Sequence, residues 1–331
     1  MSRATIREVA QTAGVSIATV SNVLNNPSIV KPDTVKRVQQ AIESLEYTPN
    51  ANGRRLRSGE SMTIGLFMKS IANEYYYELT NSLFLTCRDE GYELQICLGD
   101  SQRSLLPRLY DHSLDGMVVF QDNLTDSARK ELLSGILPVV FLAEENRGER
   151  VSSILYNSEE HGRLAADYMM NQGRKHIMHV HGRPGNYDAM MRWKGFREQL
   201  ISRGYPEGEI LELQADFYRQ EAYSKMRKYL QDGNPVPDAL FAANDLSALG
   251  CMSALQEAGY RVPEDVGVIG CDDIVLCQYI TPNLTTIATG FRETGTLAAK
   301  EIIRLIHGGK GQIIRQSGAL VERASCRIQV A

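Results

Sequence analysis

The sequence predicts an α/β protein with an N-terminal three-helix helix-turn-helix head, followed by a core of two doubly wound parallel sheets. Three observations support this prediction. Residues 5–45 contain three short helical patterns separated by turn residues. Beyond residue 61, short apolar runs alternate with segments of helical spacing, and repeated β-α units of this kind imply parallel sheets covered on both faces. The length of 331 residues corresponds to about two domains of ~150 residues, with room for a small module.

The composition excludes several classes of protein. Hydrophobic residues make up 43% and charged residues 23% of the chain, unlike a disordered, collagen-like or coiled-coil protein. No apolar run is long enough to span a membrane, and the polar N-terminus lacks a signal core. The six cysteines are scattered, with no Cys-x-x-Cys pair. We therefore expect a cytoplasmic protein with reduced thiols, no metal, no cofactor and no membrane partner.

The charge is unevenly distributed along the chain. Residues 1–60 carry eight basic and five acidic side chains, a net charge of +3, whereas the whole chain carries −4. The remaining residues therefore carry −7. A basic head on an acidic body favours a polyanion as the partner of the head.

The first residues contain clear helix signals. Thr5 and Glu8 have the spacing of a capping box that begins a first helix, and Gly14 supplies the tight turn that ends it. Ser16 is positioned to cap a second helix. Pro32 suits the first turn of a third helix, whose apolar residues recur at helical spacing and pack on the other two.

Two short helices joined by a glycine turn and covered by a third describe a helix-turn-helix module, whose second helix lies in the major groove. The exposed positions of that helix are predicted to include Ser16, Ile17, Ala18, Ser21 and Asn22. Ser21 and Asn22 can hydrogen-bond to base edges or phosphates, whereas Ile17 and Ala18 can contact thymine methyl groups. The pattern alone equally allows a three-helix interaction module that binds no nucleic acid.

The body alternates predicted strands and helices. The apolar runs that predict strands are Thr63–Met68, Leu94–Leu98, Met117–Phe120, Val139–Leu142, Ile177–Val180, Leu240–Ala243 and Val266–Ile269. Helical spacing appears over residues 76–90, 158–172, 189–203, 219–231 and 246–258. A natural break between two sheets lies near Tyr156-Asn157.

Open α/β sheets bind ligands beyond the carboxyl ends of their strands. The residues that follow the apolar runs are therefore candidates for a ligand site, and several are polar: Lys69–Asn73, Gln121–Asn123, Ala143–Glu145, Asn244-Asp245 and Asp272-Asp273.

The head resembles the N-terminal signature of the LacI/GalR family of bacterial transcription regulators. The residues that carry the resemblance are Thr5-Ile6, Val9-Ala10, Ala13-Gly14-Val15-Ser16, Thr19-Val20-Ser21, Val23-Leu24-Asn25, Val38, Ala41-Ile42, Leu45, Tyr47, Pro49-Asn50 and Leu56-Arg57. The resemblance implies a homodimer that binds a pseudo-palindromic operator, one head per half-site.

The resemblance also divides the chain. It implies a DNA-binding head over 1–49, a hinge over 50–60 and an effector-binding and dimerisation core over 61–331. In the family the hinge becomes helical on the operator and inserts a leucine into the minor groove, which Leu56 matches. The implied DNA-binding residues are Thr5, Ser16, Ile17, Ala18, Thr19, Ser21, Asn22, Asn25, Asn50, Arg54 and Leu56. The composition of residues 50–60 would also suit a simple polar linker.

The core is similar to the family's effector-binding core through the segments 240–245, 259–266, 270–273, 284–287 and 320–325. The implied fold resembles periplasmic sugar-binding proteins. Its first lobe would comprise about 61–156 plus 290–320, and its second lobe about 157–289 plus the C-terminal end. The implied effector-binding residues in the cleft between the lobes are Tyr75, Tyr76, Arg192, Phe217, Asn244, Asp272 and Phe291.

The chain departs from the family pattern at five positions. Asn22 stands where the family usually has Arg. Because Asn pairs with adenine and Arg with guanine, this change favours adenine at the contacted base pair of the operator. Gly53 stands where the family has a small hinge residue, usually Ala. Glycine makes helix formation less favourable than alanine does, by about 1 kcal/mol. At the cleft, Ala143 replaces an Asp or Asn, Glu74 a Pro, and Tyr156 an Asp. These changes alter the hydrogen-bonding groups offered to a ligand, so we expect a sugar-like effector but name no particular sugar.

Other chemistry is weakly represented. His179 and His181 share a strand face, but no third metal ligand accompanies them. Residues 308–311 lack the spacing of a phosphate loop, and no catalytic serine motif is present. The expected function is therefore an effector-controlled repressor and not an enzyme. A small-molecule sensor with a protein partner, an α/β enzyme and a corepressor-activated regulator remain the alternatives.

Overall fold

The computed structural model describes residues 4–47, 60–72, 74–99, 105–120 and 124–327. They belong to two compact units, one within Met1–Ser61 and the other within Met62–Ala331.

The first unit contains three described helices: α1 (Ile6–Ala13), α2 (Ile17–Asn25) and α3 (Pro32–Ser44). Val9, Val20 and Val38, one from each helix, are buried together in its core. A core shared by all three helices fixes how α2 is presented, because none of these helices buries its apolar face alone.

The predicted helix ends are confirmed. Thr5 and Glu8 form a complete capping box, in which the Thr5 amide donates to the Glu8 carboxylate over 2.6 Å. This bond and the Thr5 hydroxyl lower the pKa of Glu8. Gly14 ends α1 with φ of 63°, a left-handed conformation that glycine adopts at little cost. Ser16 caps α2 by accepting from the Thr19 amide over 3.1 Å.

The second unit contains two sheets, each with six strands among the described residues. Their strands are β1 (Thr63–Met68), β2 (Glu93–Leu98), β3 (Gly116–Phe120), β4 (Val139–Leu142), β5 (Val151–Tyr156), β6 (Ile177–His181), β7 (Leu211–Gln214), β8 (Ala239–Ala242), β9 (Gly267–Asp272), β10 (Thr285–Ala288), β11 (Ile313–Gln316) and β12 (Ala319–Val321). The first sheet has the order β11-β5-β4-β3-β1-β2 and the second β12-β10-β9-β8-β6-β7. All neighbours are parallel except β10 and β12.

Seven described helices cover the two sheets: α4 (Glu74–Asp89), α5 (Asp126–Leu132), α6 (Ser158–Asn171), α7 (Tyr187–Ser202), α8 (Arg219–Gln231), α9 (Asp245–Glu257) and α10 (Phe291–Ile306). Each sheet has a separate apolar core on each of its faces. Burial on both faces explains why the central strands are continuous apolar runs rather than alternating ones.

The chain crosses between the lobes three times, where a lobe is one sheet with its helices. The crossings follow β5 at Tyr156, β10 at Ala288 and β11 at Gln316. Helix α10 therefore packs on the first lobe although β10, just before it, belongs to the second. Three adjacent connections of this kind can act as a hinge between two rigid lobes.

The predicted fold class is confirmed. Each of the five predicted helical segments has a counterpart whose ends differ by at most two residues. No strand was predicted at β5, β7, β10 and β11, because serine, threonine and charged residues interrupt their apolar runs, or at β12, because its apolar run has only three residues. Within the described part of the chain, no helix is both long enough and apolar enough to cross a membrane.

Candidate functional site

The head exposes one face of α2. Ile17 has 44% of its surface exposed, and Ala18 and Asn22 are exposed as well. Ser16 and Thr19 hydroxyls hydrogen-bond to each other over 2.9 Å at the start of the helix. The exposed face therefore offers methyl groups at its beginning and a side-chain amide one turn later.

Ser21 was predicted to be exposed, and this prediction is wrong. Ser21 is only 7% exposed, because it lies beside buried Val20 and three residues before Leu24, on the flank of α2 that packs in the head. The Thr5 hydroxyl contacts Glu8 within the capping box. The Asn25 side chain and the residues Asn50, Arg54 and Leu56 lie outside the described residues.

The second unit contains a cavity of about 130 Å³, several times the volume of a water molecule. It lies beyond the carboxyl ends of the central strands of both sheets, where such folds bind ligands. Residues of both lobes form its walls: Lys69, Ser70, Ala72, Glu74, Tyr75, Tyr76, Phe120, Leu142, Ala143 and Tyr156 from the first, and Arg183, Asn186, Asp188, Arg192, Phe217, Tyr218, Asn244, Leu246, Asp272 and Ile274 from the second. We call this cavity the cleft.

Arg192 is the central cation of the cleft. The residue is only 3% exposed, and its Nη1 donates to the carbonyl of Ala243. Its Nε atom is buried and has no hydrogen-bond partner among the described residues. A buried guanidinium N–H without an acceptor costs free energy, and a ligand that supplied an acceptor to it would recover part of that cost.

Two carboxylates face Arg192. Asp188 is 8% exposed and accepts a hydrogen bond from Ser158 over 2.8 Å. Burial raises the pKa of Asp272 well above its usual range, with Arg192 opposing the shift and Asp245 and Asp188 adding to it. Asp272 therefore holds its proton more tightly than an exposed aspartate, and it can donate to a ligand as well as accept.

A chain of hydroxyls runs from the cleft to the crossings between the lobes. The Tyr75 hydroxyl lies 2.9 Å from that of Tyr156, which lies 3.0 Å from Thr294 Oγ1. Thr294 donates to Gln316 Oε1 over 2.8 Å, and Asn157 N donates to the Gln316 carbonyl over 2.8 Å. We call these residues the hydroxyl chain. It touches all three crossings, because Tyr156 and Gln316 border two of them and Thr294 also lies 3.1 Å from the Gly290 carbonyl in the third.

Aromatic rings from both lobes line the cleft. Tyr75, Tyr76 and Phe120 pack on one another with ring centroids 5.5–6.0 Å apart. Phe217 lies across from them and packs over Gly182, where a Cβ atom would collide with its ring. Gly182 therefore provides the space that the Phe217 ring occupies.

Phe291 was expected as a second aromatic wall, and the structure corrects this. It is 3% exposed and does not line the cleft. Its ring packs behind Tyr75 with the centroids 5.1 Å apart. Phe291 begins α10, which packs on the first lobe, so its side chain supports Tyr75 from behind.

Asn244 lines the cleft but has partners of its own. Its Oδ1 caps α9 by accepting from the Ser247 amide over 2.9 Å, and its Nδ2 donates to the Phe217 carbonyl over 3.1 Å. One amide N–H and one lone pair remain for a ligand. Asn244 thus also fixes the backbone that carries Phe217.

The cleft walls contain unusual backbone conformations. Of the eight described non-glycine residues with positive φ, five lie at or next to the cleft: Ala143, Asp216, Phe217, Asp272 and Asp273. Left-handed conformations cost non-glycine residues about 1–3 kcal/mol and cluster at functional sites. Phe217, at φ of 66°, is the bulkiest of the five and aims its ring into the cleft.

Sequence reasoning named none of four polar residues that the second lobe adds to the cleft: Arg183, Asn186, Asp188 and Tyr218. Asp188 stands four residues before Arg192 on α7, the spacing that places two residues on one helix face, and that signal was available. The hydroxyl of Tyr156 was noted only as a departure, because its partners come from distant segments of the chain. Among the described residues, no group of three or more candidate ligands is arranged to hold a metal.

Comparisons with known proteins agree with both units. A family described as bacterial regulatory proteins, lacI family, matches residues 5–50, and a periplasmic binding protein-like domain matches residues 166–326. The HTH-type transcriptional repressor PurR of Aliivibrio fischeri is 34% identical over 309 residues, which cover 92% of each chain.

Two solved structures extend this similarity to the fold. The lac repressor dimer bound to operator and the anti-inducer ONPF is 26% identical with a TM-score of 0.84, over 99% of this chain and 100% of that one. The complex of the transcriptional regulator CelR with cellobiose is 26% identical with a TM-score of 0.72, over 98% of this chain and 100% of that one.

Proposed function

Because the chain belongs to the lacI family of bacterial regulatory proteins, we propose that it is a transcriptional repressor that binds a pseudo-palindromic operator as a homodimer. A small molecule bound in the cleft controls its affinity for the operator. The observation that carries the effector site is Arg192, a buried cation whose Nε has no partner in the described part of the chain. Operator DNA is the macromolecular partner, and the bacterial cytoplasm is where the protein would meet it.

Helix α2 is the element that reads the operator under this proposal. Exposed Ile17 and Ala18 contact thymine methyl groups, and Asn22 hydrogen-bonds to an adenine. Ser16 and Thr19 lie at the N-terminus of α2, where backbone N–H groups and hydroxyls suit a phosphate. The same helix–phosphate contacts set the register of the head on the duplex.

The effector is a small cyclic molecule with several hydrogen-bonding groups, sugar-like in its chemistry. The first lobe contributes four aromatic residues to the cleft walls, and the second lobe contributes the charged groups of Arg192, Asp188 and Asp272. A ring packed on Tyr75 and Tyr76 would direct its polar edge toward the second lobe. Paired guanidinium and carboxyl groups suit hydroxyls and ring heteroatoms that both donate and accept.

Exposed apolar residues support the homodimer. Tyr77, Phe84 and Leu85 on α4 and Ile96 and Leu98 on β2 are 37–60% exposed, and α4 packs beside β2. Strand β2 also forms an edge of the first sheet, and exposed apolar edges favour association. We call this set the α4–β2 face.

Control of the operator is a shift between two states of the core. Effector in the cleft favours one angle between the lobes, and its effect on DNA affinity equals its differential affinity for the two states. Release of the operator by an inducer and capture by a corepressor differ only in which state the effector prefers.

The first experiment is a thermal-shift screen of the full-length protein against sugars, sugar phosphates, nucleosides and amino acids. A compound that binds the folded protein raises its melting temperature. Operator duplexes are selected from a random pool, and their affinity is measured with and without the compound. A selected palindrome whose affinity changes with the compound supports the proposal. Failure to select any duplex would contradict it, and a blank screen would favour a protein partner at the cleft.

Leu56→Ala tests the hinge. If Leu56 wedges into the minor groove, this substitution weakens binding to the selected duplex by roughly tenfold or more, because the apolar contact that stabilises the kinked site is lost. The thermal shift with the screened compound stays unchanged, because the cleft is untouched. Equal duplex affinity of mutant and wild type would remove the wedge from the mechanism.

A further inference from the structure

A direct hydrogen bond joins the two lobes beside the cleft. Glu74 is the first residue of α4 in the first lobe, and Val275 follows β9 in the second lobe. The Glu74 Oε1 atom accepts a hydrogen bond from the Val275 amide over 2.6 Å. A short bond from an N–H to a carboxylate is stronger than a bond between neutral groups.

The Glu74 carboxylate is held in place from its own lobe. Arg292 Nη2 lies 3.8 Å from Glu74 Oε1, and Arg292 Nε lies 3.5 Å from Glu78 Oε2, one turn further along α4. Arg292 stands next to Phe291, at the start of α10 and directly after the crossing that follows β10. Glu74 is therefore oriented by the first lobe and bonded to the backbone of the second.

This bond is sensitive to the angle between the lobes. Its two ends are carried by different sheets, so a rotation of one lobe about the three crossings changes the distance between Glu74 and Val275. Hydrogen bonds weaken steeply with distance and misalignment, so rotation breaks this one. The residue after Glu74 is Tyr75, whose ring lines the cleft and whose hydroxyl begins the hydroxyl chain.

We propose that Glu74, oriented by Arg292 and bonded to the Val275 amide, is a brace that holds the two lobes at the closed angle at which this bond forms. The proline that the family pattern places at this position has no carboxylate for such a bond. The brace sets the resting angle of the hinge, and an effector that prefers another angle must displace it. The inference does not depend on the identity of the effector or of the operator.

The test compares Glu74→Ala, Glu74→Gln and Glu78→Ala in the full-length protein without DNA or ligand. Hydrogen exchange measures how well the Val275 amide is protected from solvent, and small-angle X-ray scattering measures the radius of gyration. Glu74→Ala is expected to speed exchange at Val275 by roughly tenfold or more and to enlarge the protein. Glu74→Gln keeps an acceptor oxygen and is expected to restore most of the protection. Glu78→Ala, which removes a partner of Arg292 but no bond to the second lobe, is expected to remain closed.

Exchange in β6, a strand of the second-lobe core, separates opening from unfolding. If Glu74→Ala speeds exchange in β6 as much as at Val275, the substitution destabilises the whole protein and the brace is overturned. Unchanged exchange at Val275, or equal opening in Glu78→Ala, overturns it as well. Since neither DNA nor effector is used, the outcome is independent of whether the proposed repressor function holds.

Discussion

Asp272 concentrates the electrostatics of the cleft in one residue. It ends β9, has a φ of 119°, faces Arg192 and carries a raised pKa. Its position was predictable, since a polar residue directly after an apolar run marks the carboxyl end of a strand. Its altered proton affinity was not, because it depends on Asp188 and Arg192 on α7 and on Asp245 at the start of α9, two other segments of the chain.

Asp272→Asn tests the raised pKa. A carboxyl whose pKa is higher in the folded protein than in the unfolded chain stabilises the fold fully at low pH, and this contribution is lost as pH rises through the folded pKa. The asparagine resembles the protonated acid, so the variant is expected to melt at a higher temperature than wild type at pH 7. Near pH 4 the two are expected to converge. Thermal melts from pH 4 to 8 measure this.

The same substitution has a second expected outcome. Loss of the ionisable acceptor removes most of the thermal shift caused by a screened effector, while affinity for the selected duplex in the absence of effector is preserved. Ser247→Ala is the control, because Ser247 is buried at the start of α9 and lies outside the cleft wall.

The pH prediction has its own contradicting outcome. If Asp272→Asn melts below wild type at pH 7, the fold favours the ionised form of Asp272.

The crossings between the lobes are the elements on which the proposed control depends. The alternation of apolar runs and helical spacing was sufficient to predict the two sheets, and it placed one crossing near Tyr156. The return crossings after β10 and β11 were less visible, because those strands are short and rich in threonine, arginine and glutamine. The hydroxyl chain that ties the three crossings together depends on tertiary contact, and sequence spacing carries no signal of it.

Tyr156→Phe tests the hydroxyl chain. The ring remains, and only the hydroxyl that bridges Tyr75 and Thr294 is lost. Each hydrogen bond removed lowers the free energy of unfolding by about 1 kcal/mol. We expect a melting temperature lower by about 2–4 °C and faster hydrogen exchange at the Asn157 amide. Tyr229→Phe is the matched control, because it removes a phenol that donates to the Pro235 carbonyl over 2.9 Å, away from the cleft. Equal exchange at Asn157 in both variants would exclude a role for the chain at the crossings.

At the scale of the whole molecule, the proposed pseudo-palindromic operator requires two heads, so dimerisation is as much a part of the proposed recognition as the base contacts assigned to α2. Two half-sites bound together gain affinity through effective concentration, which is lost when the subunits separate. The apolar spacing of α4 predicted a helix but not which residues stay exposed. Tyr77 and Phe84, seven residues apart on one helix face, could equally have been core positions.

Phe84→Glu tests the α4–β2 face. Phe84 is 44% exposed, and in a self-complementary interface the substitution places a carboxylate in apolar surroundings twice, once from each subunit, so the cost of desolvation is incurred twice. We expect sedimentation to show a monomer at concentrations where wild type is dimeric, and affinity for the full palindrome to fall by about 100-fold or more. Affinity for an isolated half-site should be unchanged, because α2 is intact. Ile201→Glu is the control, since Ile201 is 37% exposed at the end of α7 in the second lobe. A dimeric Phe84→Glu variant with full palindrome affinity would move the interface elsewhere on the molecule.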